Sequence, residues 1–427
     1  MNISRRTFLA SSAAAVAAGI ATRSAFAQND RVGVCVVGVN GRGKEHIEQF
    51  SKTDGAEVVA LCDVDSRVLE RTVARFKETY GKTPKIFTDV REALQDPSID
   101  AVTIATPNHW HSLMTIWAIQ AGKDVYVEKP MSHSIWEGRQ AAALADQSDR
   151  IVMHGTQGRS SAGWMRDIKL LQDGFIGRVN KAKGFTYKTG NRKDLGDCRT
   201  NEVPSELNWD LWQGPAARQD YCNLYVPYNW HWFWRYGNGE TGNQGVHQMD
   251  ICAWAMNKGL PVKAYSTGGR YAWDDFAETP NTQVSVLTYE DGTMLEFEIR
   301  NMGSYKEAGE LETGNTFLCN DGYYVEDKGF FDYRGKPIQV DAPMPETKGT
   351  WANFIEAVRS RDNSAIRGTA MDAHISSAHC HLCNIAYRVG ESLNFDPKTE
   401  RFTNNDEANK LAKSEYAPGF EVPEIAT

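Results

Sequence analysis

Short apolar runs alternate with amphipathic stretches through the first third of the chain. Residues 32–37 and 58–62 are almost entirely apolar, as expected for strands that are buried on both faces. The same reasoning predicts strands at residues 101–106, 125–128 and 151–154, and helices at residues 109–121 and 134–145. Regular alternation of strands and helices is typical of parallel sheets. This part of the chain is therefore predicted to form a doubly wound, parallel α/β sheet.

The second part of the chain shows the period-2 alternation of half-buried strands. After a predicted helix at residues 162–172, strands are predicted at residues 178–188, 262–267, 282–289, 293–300 and 315–319. Asp291-Gly292 separates two of these strands and is a strong hairpin signal. An α/β domain with an open, mostly antiparallel sheet is expected here. Residues 351–360 and 373–389 have helical periodicity and are predicted to pack back onto the structure.

The first 27 residues have the features of an export signal. Residues 4–9, Ser-Arg-Arg-Thr-Phe-Leu, match the twin-arginine motif, and a weakly apolar stretch ends in an Ala-Phe-Ala cleavage pattern at residues 25–27. An amphipathic helix or a membrane anchor is the alternative interpretation. We expect twin-arginine export, a mature chain that begins near Gln28, and a periplasmic location. No other segment is long and apolar enough to span a bilayer, so no membrane contact is expected after signal removal.

Charge and cysteine content limit which binding partners, disulfides and metal sites are expected. The net charge is -8, and it becomes -11 without residues 1–27, which contain three arginines and no acid. Because an acidic protein repels phosphate backbones, nucleic acid is not an expected partner. The eight cysteines permit disulfides without requiring them. Cys380 and Cys383 are interpreted as core residues of a helix rather than metal ligands, and no metal site is predicted.

A glycine-rich turn follows the first predicted strand. Residues 38–43 read Gly-Val-Asn-Gly-Arg-Gly, a pattern that departs from G-x-G-x-x-G only in its second glycine. Glycines at such a turn let the backbone approach a pyrophosphate that rests on the next helix. Asp63 ends the second strand 20 residues after Gly43, where an acid binds ribose hydroxyls and disfavours a 2'-phosphate. NAD is therefore predicted, Arg67 leaves NADP open, and a helix N-cap is the alternative role of Asp63.

Two further motifs lie at predicted strand ends. Thr106-Pro107-Asn108 is followed by His111, and Glu128-Lys129-Pro130 comes some twenty residues later. Together with Gly-Val-His-Gln-Met-Asp at residues 245–250, they resemble the glucose-fructose oxidoreductase, inositol dehydrogenase and rhizopine catabolism (Gfo/Idh/MocA) family. The resemblance implies a signal peptide at residues 1–27, an NAD(P)-binding Rossmann domain at 31–155, a substrate and oligomerisation domain at 156–345, and C-terminal helices and tail at 346–427.

The resemblance also implies roles for individual residues. Lys129 matches the lysine that bonds a substrate hydroxyl and assists proton transfer, and His247 matches the histidine on a helix of the second domain. Asn243 stands where many members have an aspartate, so a carboxylate-histidine pair is not expected at that position. The residues expected to contact the cofactor are Gly38, Asn40, Gly41, Arg42, Gly43, Asp63, Thr106, Pro107, Asn108, His111, Glu128 and Lys129. A homo-oligomer, a dimer or tetramer, is expected through the second sheet.

Tryptophans are concentrated between residues 208 and 236, which we interpret as a loop on the substrate side. Aromatic rings can stack on sugar faces while arginine and asparagine bind hydroxyls; an ordinary aromatic core cluster is the alternative. The expected substrate-side residues are Tyr187, Trp230, Arg235, Asn243 and His247.

Taken together, these features predict an NAD(P)-dependent oxidoreductase that acts on a hydroxyl carbon of a sugar, polyol or glycoside. Two alternatives stay open. One is an NAD-dependent glycosidase that works by transient oxidation and elimination. The other is a non-catalytic sugar- or nucleotide-binding protein.

Overall fold

The computed structural model describes residues 31–188, 192–302, 306 and 311–426. The predicted export signal at residues 1–27 lies outside them. The first sheet consists of six parallel strands in the order β3-β2-β1-β4-β5-β6. Its strands are β1 (Val32–Val37), β2 (Ala56–Cys62), β3 (Lys85–Phe87), β4 (Ala101–Ile104), β5 (Asp124–Val127) and β6 (Val152–His154).

Helices connect these strands and cover both faces of the sheet. They are α1 (Gly43–Lys52), α2 (Ser66–Tyr80), α3 (Val90–Ala93), α4 (Asn108–Gln120) and α5 (Ile135–Asp146). The predicted doubly wound parallel sheet is confirmed. Strand β4 ends two residues before its predicted end, because Pro107 has no amide hydrogen to give to a ladder and ends the extended segment before α4.

The second sheet has ten strands in the order β14-β13-β12-β11-β7-β10-β9-β8-β15-β16. Its pairs are antiparallel except for β7 with β10, so the predicted open, mostly antiparallel sheet is also confirmed. The strands are β7 (Val179–Thr186), β8 (Lys263–Gly269), β9 (Thr282–Thr288), β10 (Met294–Arg300), β11 (Thr313–Cys319), β12 (Tyr323–Val325), β13 (Gly329–Phe331), β14 (Pro337–Ile338), β15 (Leu393–Asp396) and β16 (Arg401–Phe402).

Helices of the second part lie on one face of this sheet and against the first domain. They are α6 (Ala162–Gln172), α7 (Trp209–Gln213), α8 (Gly239–Asn243), α9 (Gly245–Met256), α10 (Gly349–Ser360), α11 (Ala370–Val389) and α12 (Asp406–Leu411). Short 3-10 turns occur at Gln157–Ser160, Asn229–Trp232 and Asn363–Ala365. The shortest strands and α8 escaped the sequence prediction, because segments of two to five residues have no measurable period.

The C-terminal helices pack back onto both domains. Helix α10 packs Phe354, Ile355 and Val358 into the core beneath the parallel sheet. Helix α11 packs against α5 of the first domain and against α9 and β8 of the second. Because α11 is buried on several sides, its Cys380 and Cys383 lie in the core, as expected from the sequence. No helix within the described residues has the length and apolar character needed to cross a membrane.

Candidate active site

A cleft of about 800 Å³ opens at the carboxyl ends of the parallel strands, where α/β sheets hold their ligands. Residues of the second domain form its opposite wall. Of the predicted site residues, the cleft is lined by Gly38, Asn40, Gly41, Arg42, Asp63, Thr106, Pro107, Asn108, His111, Glu128, Lys129, Trp230, Asn243 and His247. Side chains that are far apart in the sequence thus meet in one place.

The glycine-rich turn is shaped by close backbone contacts. A Cβ atom on Gly38, whose φ is +82°, would lie 2.7 Å from the Ala105 carbonyl oxygen. A Cβ on Gly43 would lie 1.9 Å from the Gly38 carbonyl oxygen, so neither position has room for a side chain. At Gly41, by contrast, a Cβ would meet nothing within 4 Å. Gly43 therefore packs against the backbone of the turn, whereas Gly41 leaves open space at the edge of the cleft.

Asp63 is engaged by the backbone of the same turn. Its carboxylate accepts hydrogen bonds from the amides of Val39, at 2.9 Å, and Asp65, at 3.1 Å. Burial raises the pKa of Asp63 to about 6, against these two hydrogen bonds, which lower it. The N-cap of α2 is Asp65, whose carboxylate accepts from the amides of Arg67 and Val68. Asp63 is thus not the cap, and it lies at the cleft beside the turn, as a ribose-binding acid requires.

Glu128 ties the turn to the end of β5. Its carboxylate accepts from Arg42 Nε at 2.9 Å and contacts His46 Nε2 at 3.1 Å. Burial alone would raise the pKa of Glu128, but the His46 hydrogen bond and the nearby cations hold that pKa well below its usual range. The carboxylate is therefore charged and orders Arg42, with a structural role next to Lys129.

Residues after β4 hold the strand ends together. The His111 ring nitrogens contact the carbonyl oxygens of Pro130, at 2.6 Å, and Thr106, at 2.7 Å. Asn108 donates to Asn238 Oδ1 at 3.0 Å, which joins the first domain to the start of α8. These contacts place the Lys129-Pro130 turn and α8 on opposite sides of the cleft at fixed separation.

Lys129 reaches across the cleft to the second domain. Its ammonium donates to the Asn243 backbone carbonyl at 2.6 Å and to Asn243 Oδ1 at 3.2 Å. Burial lowers the pKa of Lys129, partly offset by the charges of Glu128 and Glu240. A lysine whose neutral form is favoured in this way is suited to exchange protons with a hydroxyl.

His247 lies in the first turn of α9 and also lines the cleft. Burial, together with the positive charge of Lys129, lowers its pKa to about 3, so the ring is neutral at physiological pH. Asp250, three residues later, pairs both carboxylate oxygens with Arg159 at 2.9 Å. Asp250 is thus committed to Arg159, and it belongs to the support of α9 rather than to the cleft.

Residues 198–236, here called the cover segment, close the cleft from outside. Cys198 and Cys222 form a disulfide within it, and the six other cysteines are free and buried. Asn208 N donates to the Val64 carbonyl and Ser66 N donates to the Glu206 carbonyl, each at 3.0 Å. The segment is therefore attached to the loop after Asp63, at the predicted adenosine end of the cleft.

Some tryptophans of the cover segment serve its own core and others face the cleft. Trp209 and Tyr236 pack into an aromatic cluster, which is the alternative that the sequence left open. Trp230 lines the cleft and stacks on His231 with ring centroids 3.6 Å apart. Trp230 also belongs to that buried cluster, so the aromatic core is confirmed, and stacking on a substrate stays a prediction.

Two predicted substrate-side residues do not line the cleft. Arg235 donates to the Ala217 carbonyl at 2.9 Å, within the cover segment. Tyr187 stacks on Phe185 and donates to Glu298, which places it on the face of the second sheet opposite to α9. The cause is strand alternation: Gly184, one residue before Phe185, faces α9, so Phe185 and Tyr187 face away.

Sequence reasoning missed three polar residues near Lys129. Tyr228 and His231 line the cleft, and the Tyr228 side chain also hydrogen-bonds Asn243. Glu240 is fully buried and accepts from Asn243 Nδ2 at 3.0 Å. The Gly-Asn-Gly sequence at residues 237–239 indicates an unusual backbone conformation there. No local sequence pattern identifies which side chains near it reach the cleft.

The cleft fits a dinucleotide. The open space at Gly41, the carboxylate of Asp63 and a volume within the usual range of ligand sites are what such a cofactor needs. Arg67 is held by Asp65 at 2.9 Å, and Arg71 donates to Asn40 Oδ1, so both cations near Asp63 already have partners. In the part of the chain that the structure describes, no group of three His, Cys, Asp or Glu could hold a metal ion.

Comparison with known proteins identifies the family. Residues 32–156 match the Gfo/Idh/MocA model described as an oxidoreductase family with an NAD-binding Rossmann fold, and residues 165–421 match the model of its C-terminal alpha/beta domain. A glycosyl hydrolase family 109 protein from Shewanella sp. (strain ANA-3) is 32% identical over 179 residues, which cover 36% of this chain and 39% of that protein. The chain thus spans about two fifths of the length of the curated relatives it matches.

Solved structures share the fold over nearly their whole length. The WlbA dehydrogenase from Bordetella pertussis, crystallised with NADH and UDP-GlcNAcA, has a TM-score of 0.65 and 19% identity, and covers 87% of this chain and 99% of its own. The aldose-aldose oxidoreductase from Caulobacter crescentus has a TM-score of 0.62 and 17% identity, with 86% of this chain and 100% of its own covered. With both domains matched and the cleft between them, the chain belongs to the Gfo/Idh/MocA oxidoreductase family, with an NAD-binding Rossmann domain.

Proposed function

We propose that this protein transfers a hydride between NAD and a hydroxyl-bearing carbon of a sugar, polyol or glycoside. The observation that carries the proposal is the meeting of Lys129 and His247 at the carboxyl edge of a dinucleotide-binding sheet. When bound, NAD supplies the hydride acceptor. The chain itself supplies the base, the substrate wall and the exclusion of water.

Lys129 is the proposed base. Oxidation of a carbinol requires removal of the hydroxyl proton, and a positioned base contributes roughly 10²- to 10⁴-fold to such a step. Because burial lowers its pKa, a larger fraction of Lys129 than of an exposed lysine is in the neutral form that can accept this proton at neutral pH. His247, neutral at this pH, orients the hydroxyl as a hydrogen-bond partner. The rate is expected to rise with pH as Lys129 loses its proton.

Aromatic side chains favour a carbohydrate in the substrate half of the cleft. Trp230, Tyr228 and His231 line it there, beside Asn243. Such surfaces suit a sugar, which has both apolar faces and hydroxyls. The net charge of -8 disfavours an acidic substrate unless local cations hold it.

The first test is to purify the protein natively, denature it and identify any released nucleotide by mass spectrometry. Recovery of NAD, followed by reduced nicotinamide in a panel of sugars and polyols, is the expected result. Lys129→Ala is expected to lower kcat by about 10²-fold or more while nucleotide binding persists. Lys82→Ala, at an exposed surface lysine, is the matched control. No bound nucleotide and no binding of added NAD, or full turnover by Lys129→Ala, would contradict the proposal.

A glycosidase that uses NAD transiently is the second candidate. It is favoured by the relatives named glycosyl hydrolase family 109 proteins, which match this chain at 31–34% identity. In such a reaction the base must act on the substrate without net consumption of the cofactor. Aryl glycosides discriminate the two candidates: release of the aglycone with no net NADH favours the glycosidase, and stoichiometric NADH without cleavage favours the dehydrogenase.

We propose that the chain is exported to the periplasm through the twin-arginine pathway. The motif at residues 4–9 supports this, and so does the disulfide between Cys198 and Cys222, since disulfides persist in oxidising compartments. Replacing Arg5 and Arg6 by lysine is expected to keep the protein in the cytoplasm in cell fractionation. Unchanged periplasmic recovery would contradict the proposal.

We further propose a homo-oligomer that is built on the second sheet. Tyr265, Met294 and Leu318 project from the face opposite to α9 and are 47%, 40% and 44% exposed. Apolar side chains on an open sheet face are suited to an isologous interface. Light scattering of the purified protein is expected to give a dimer or tetramer, and a monomer at micromolar concentration would contradict this.

A further inference from the structure

We propose that Glu240 is a positioning residue whose carboxylate holds the Asn243 amide, and through it Lys129, in the geometry that proton transfer needs. This inference rests on the proposed role of Lys129 as the base. Position 243 is an uncharged asparagine, and the inference gives the role of the buried negative charge to Glu240.

The contacts form a continuous chain from carboxylate to ammonium. Asn243 Nδ2 donates to Glu240 Oε2 at 3.0 Å, and Lys129 Nζ donates to Asn243 Oδ1 at 3.2 Å. Only this orientation of the amide satisfies both neighbours: turned over, its NH₂ group would face an ammonium and its oxygen a carboxylate. Glu240 therefore determines which edge of Asn243 faces Lys129.

The surroundings make this arrangement rigid. Glu240 is 0% exposed and Asn243 is 9% exposed, so the hydrogen bond between them is shielded from water. Asn238, the residue before α8, donates to the His133 carbonyl and accepts from Asn108, so the first domain holds the start of α8. A hydrogen bond to a buried carboxylate is stronger than one in water, which makes the contact between Glu240 and Asn243 persistent.

Ionisable groups from several elements surround Lys129. Glu128 precedes it at the end of β5, Arg42 comes from the glycine-rich turn, and Cys380 comes from α11. Four histidines also interact with its charge: His111 on α4, His154 on β6, His231 in the cover segment and His247 on α9. The Tyr228 hydroxyl faces the same Asn243. Glu128 also pairs with Arg42 and contacts His46, so its carboxylate is divided between those contacts and the charge of Lys129. Glu240 is the carboxylate that reaches Lys129 from the second domain.

An amide between the two charges has a chemical advantage. An aspartate at position 243 would bind the ammonium directly and favour the charged form of Lys129 strongly. Asn243 keeps the carboxylate one residue further away, so the lysine is oriented while its neutral form remains accessible. Asn243 and the buried Glu240 thus act together on Lys129.

The test compares Glu240→Gln with Asn243→Asp. The side-chain carbonyl that the first variant introduces can still accept from the Asn243 amide, so the fold is kept while the charge is lost. Amine-reactive labelling of Lys129, followed by mass spectrometry over a pH series, measures its protonation without any substrate. We expect the labelling midpoint to fall by about 0.5 pH unit or more in Glu240→Gln and to rise in Asn243→Asp. Glu356→Gln, at an exposed glutamate of α10, is the control.

Turnover provides the second readout. Glu240→Gln is expected to lower kcat about tenfold with little change in KM, and to move the acid limb of the pH profile in the direction of the labelling midpoint. An unchanged labelling midpoint in a variant with normal Tm would overturn the inference. If wild-type protein neither binds NAD nor oxidises a carbohydrate while the labelling midpoints shift, the proposed function fails and the coupling of Glu240 to Lys129 stands.

Discussion

Asp63 serves both the fold and the cleft. Its carboxylate accepts amide hydrogen bonds from the turn at Val39 and from Asp65, yet burial raises its pKa to about 6. The charge is kept at neutral pH although the protein environment opposes it. Residues at ligand sites commonly carry a charge that destabilises the ligand-free protein, because the charge serves to bind the ligand.

Asp63→Asn is therefore expected to change the stability of the cofactor-free protein in a pH-dependent way. The folded pKa lies above the ordinary value of 3.8, so the folded state binds the proton more tightly and stability falls as pH rises from about 4 to 6. The substitution removes that loss at every pH, but its NH₂ group cannot accept from the second backbone amide, which costs a constant amount of stability. In scanning calorimetry, Tm of the variant relative to wild type should therefore be about 3–6 °C higher at pH 8 than at pH 4. The same Tm difference at both pH values would contradict the assigned cause, and NAD affinity should fall in either case.

At the scale of elements, the turn between β1 and α1 decides how closely a ligand can approach. Its three glycines differ in what surrounds them. Gly38 and Gly43 are pressed against backbone atoms, whereas Gly41 adjoins open space. The first two shape the turn, and the third keeps the cleft free.

Alanine substitutions at Gly41 and Gly43 form a matched pair. Gly43→Ala places a Cβ 1.9 Å from the Gly38 carbonyl oxygen, and overpacking of this kind costs about 1–3 kcal/mol. It should lower Tm, whereas Gly41→Ala should keep Tm and weaken NAD binding, as calorimetric titration would measure. Normal stability of Gly43→Ala would show that the turn relaxes.

At the scale of the whole molecule, the cover segment lies over the cleft and is held to the first domain. It is attached to the loop after β2 at Glu206 and Asn208, and to α4 through the Trp212 carbonyl, which contacts His109 and Trp110. The disulfide between Cys198 and Cys222 closes the segment on itself. We therefore predict that a bound dinucleotide leaves the cleft faster when these contacts open.

Reduction of this disulfide is expected to speed cofactor release. Closing a loop of this length contributes about 3 kcal/mol in the chain-entropy view, so the reduced cover segment opens more often. We expect the cofactor to dissociate at least about fivefold faster. The experiment uses the reduced form, NADH, whose fluorescence reports its own release. The double variant Cys198→Ser/Cys222→Ser should dissociate equally fast with or without reductant. An unchanged rate after complete reduction would show that the disulfide does not govern opening.

Local patterns in the sequence determined both sheets, the glycine-rich turn, and the positions of Asp63 and Lys129 at strand ends. This is because apolar periodicity and backbone demands act over a few residues, and strand ends of a parallel sheet necessarily share one edge. Only the tertiary structure decided which side chains face the cleft. The packing of α9 on one face of the second sheet left Tyr187 on the other face, Arg235 bonds the Ala217 carbonyl, and α8 brought Asn243 to Lys129 across the cleft. Those outcomes depend on how distant elements pack, which no local pattern encodes.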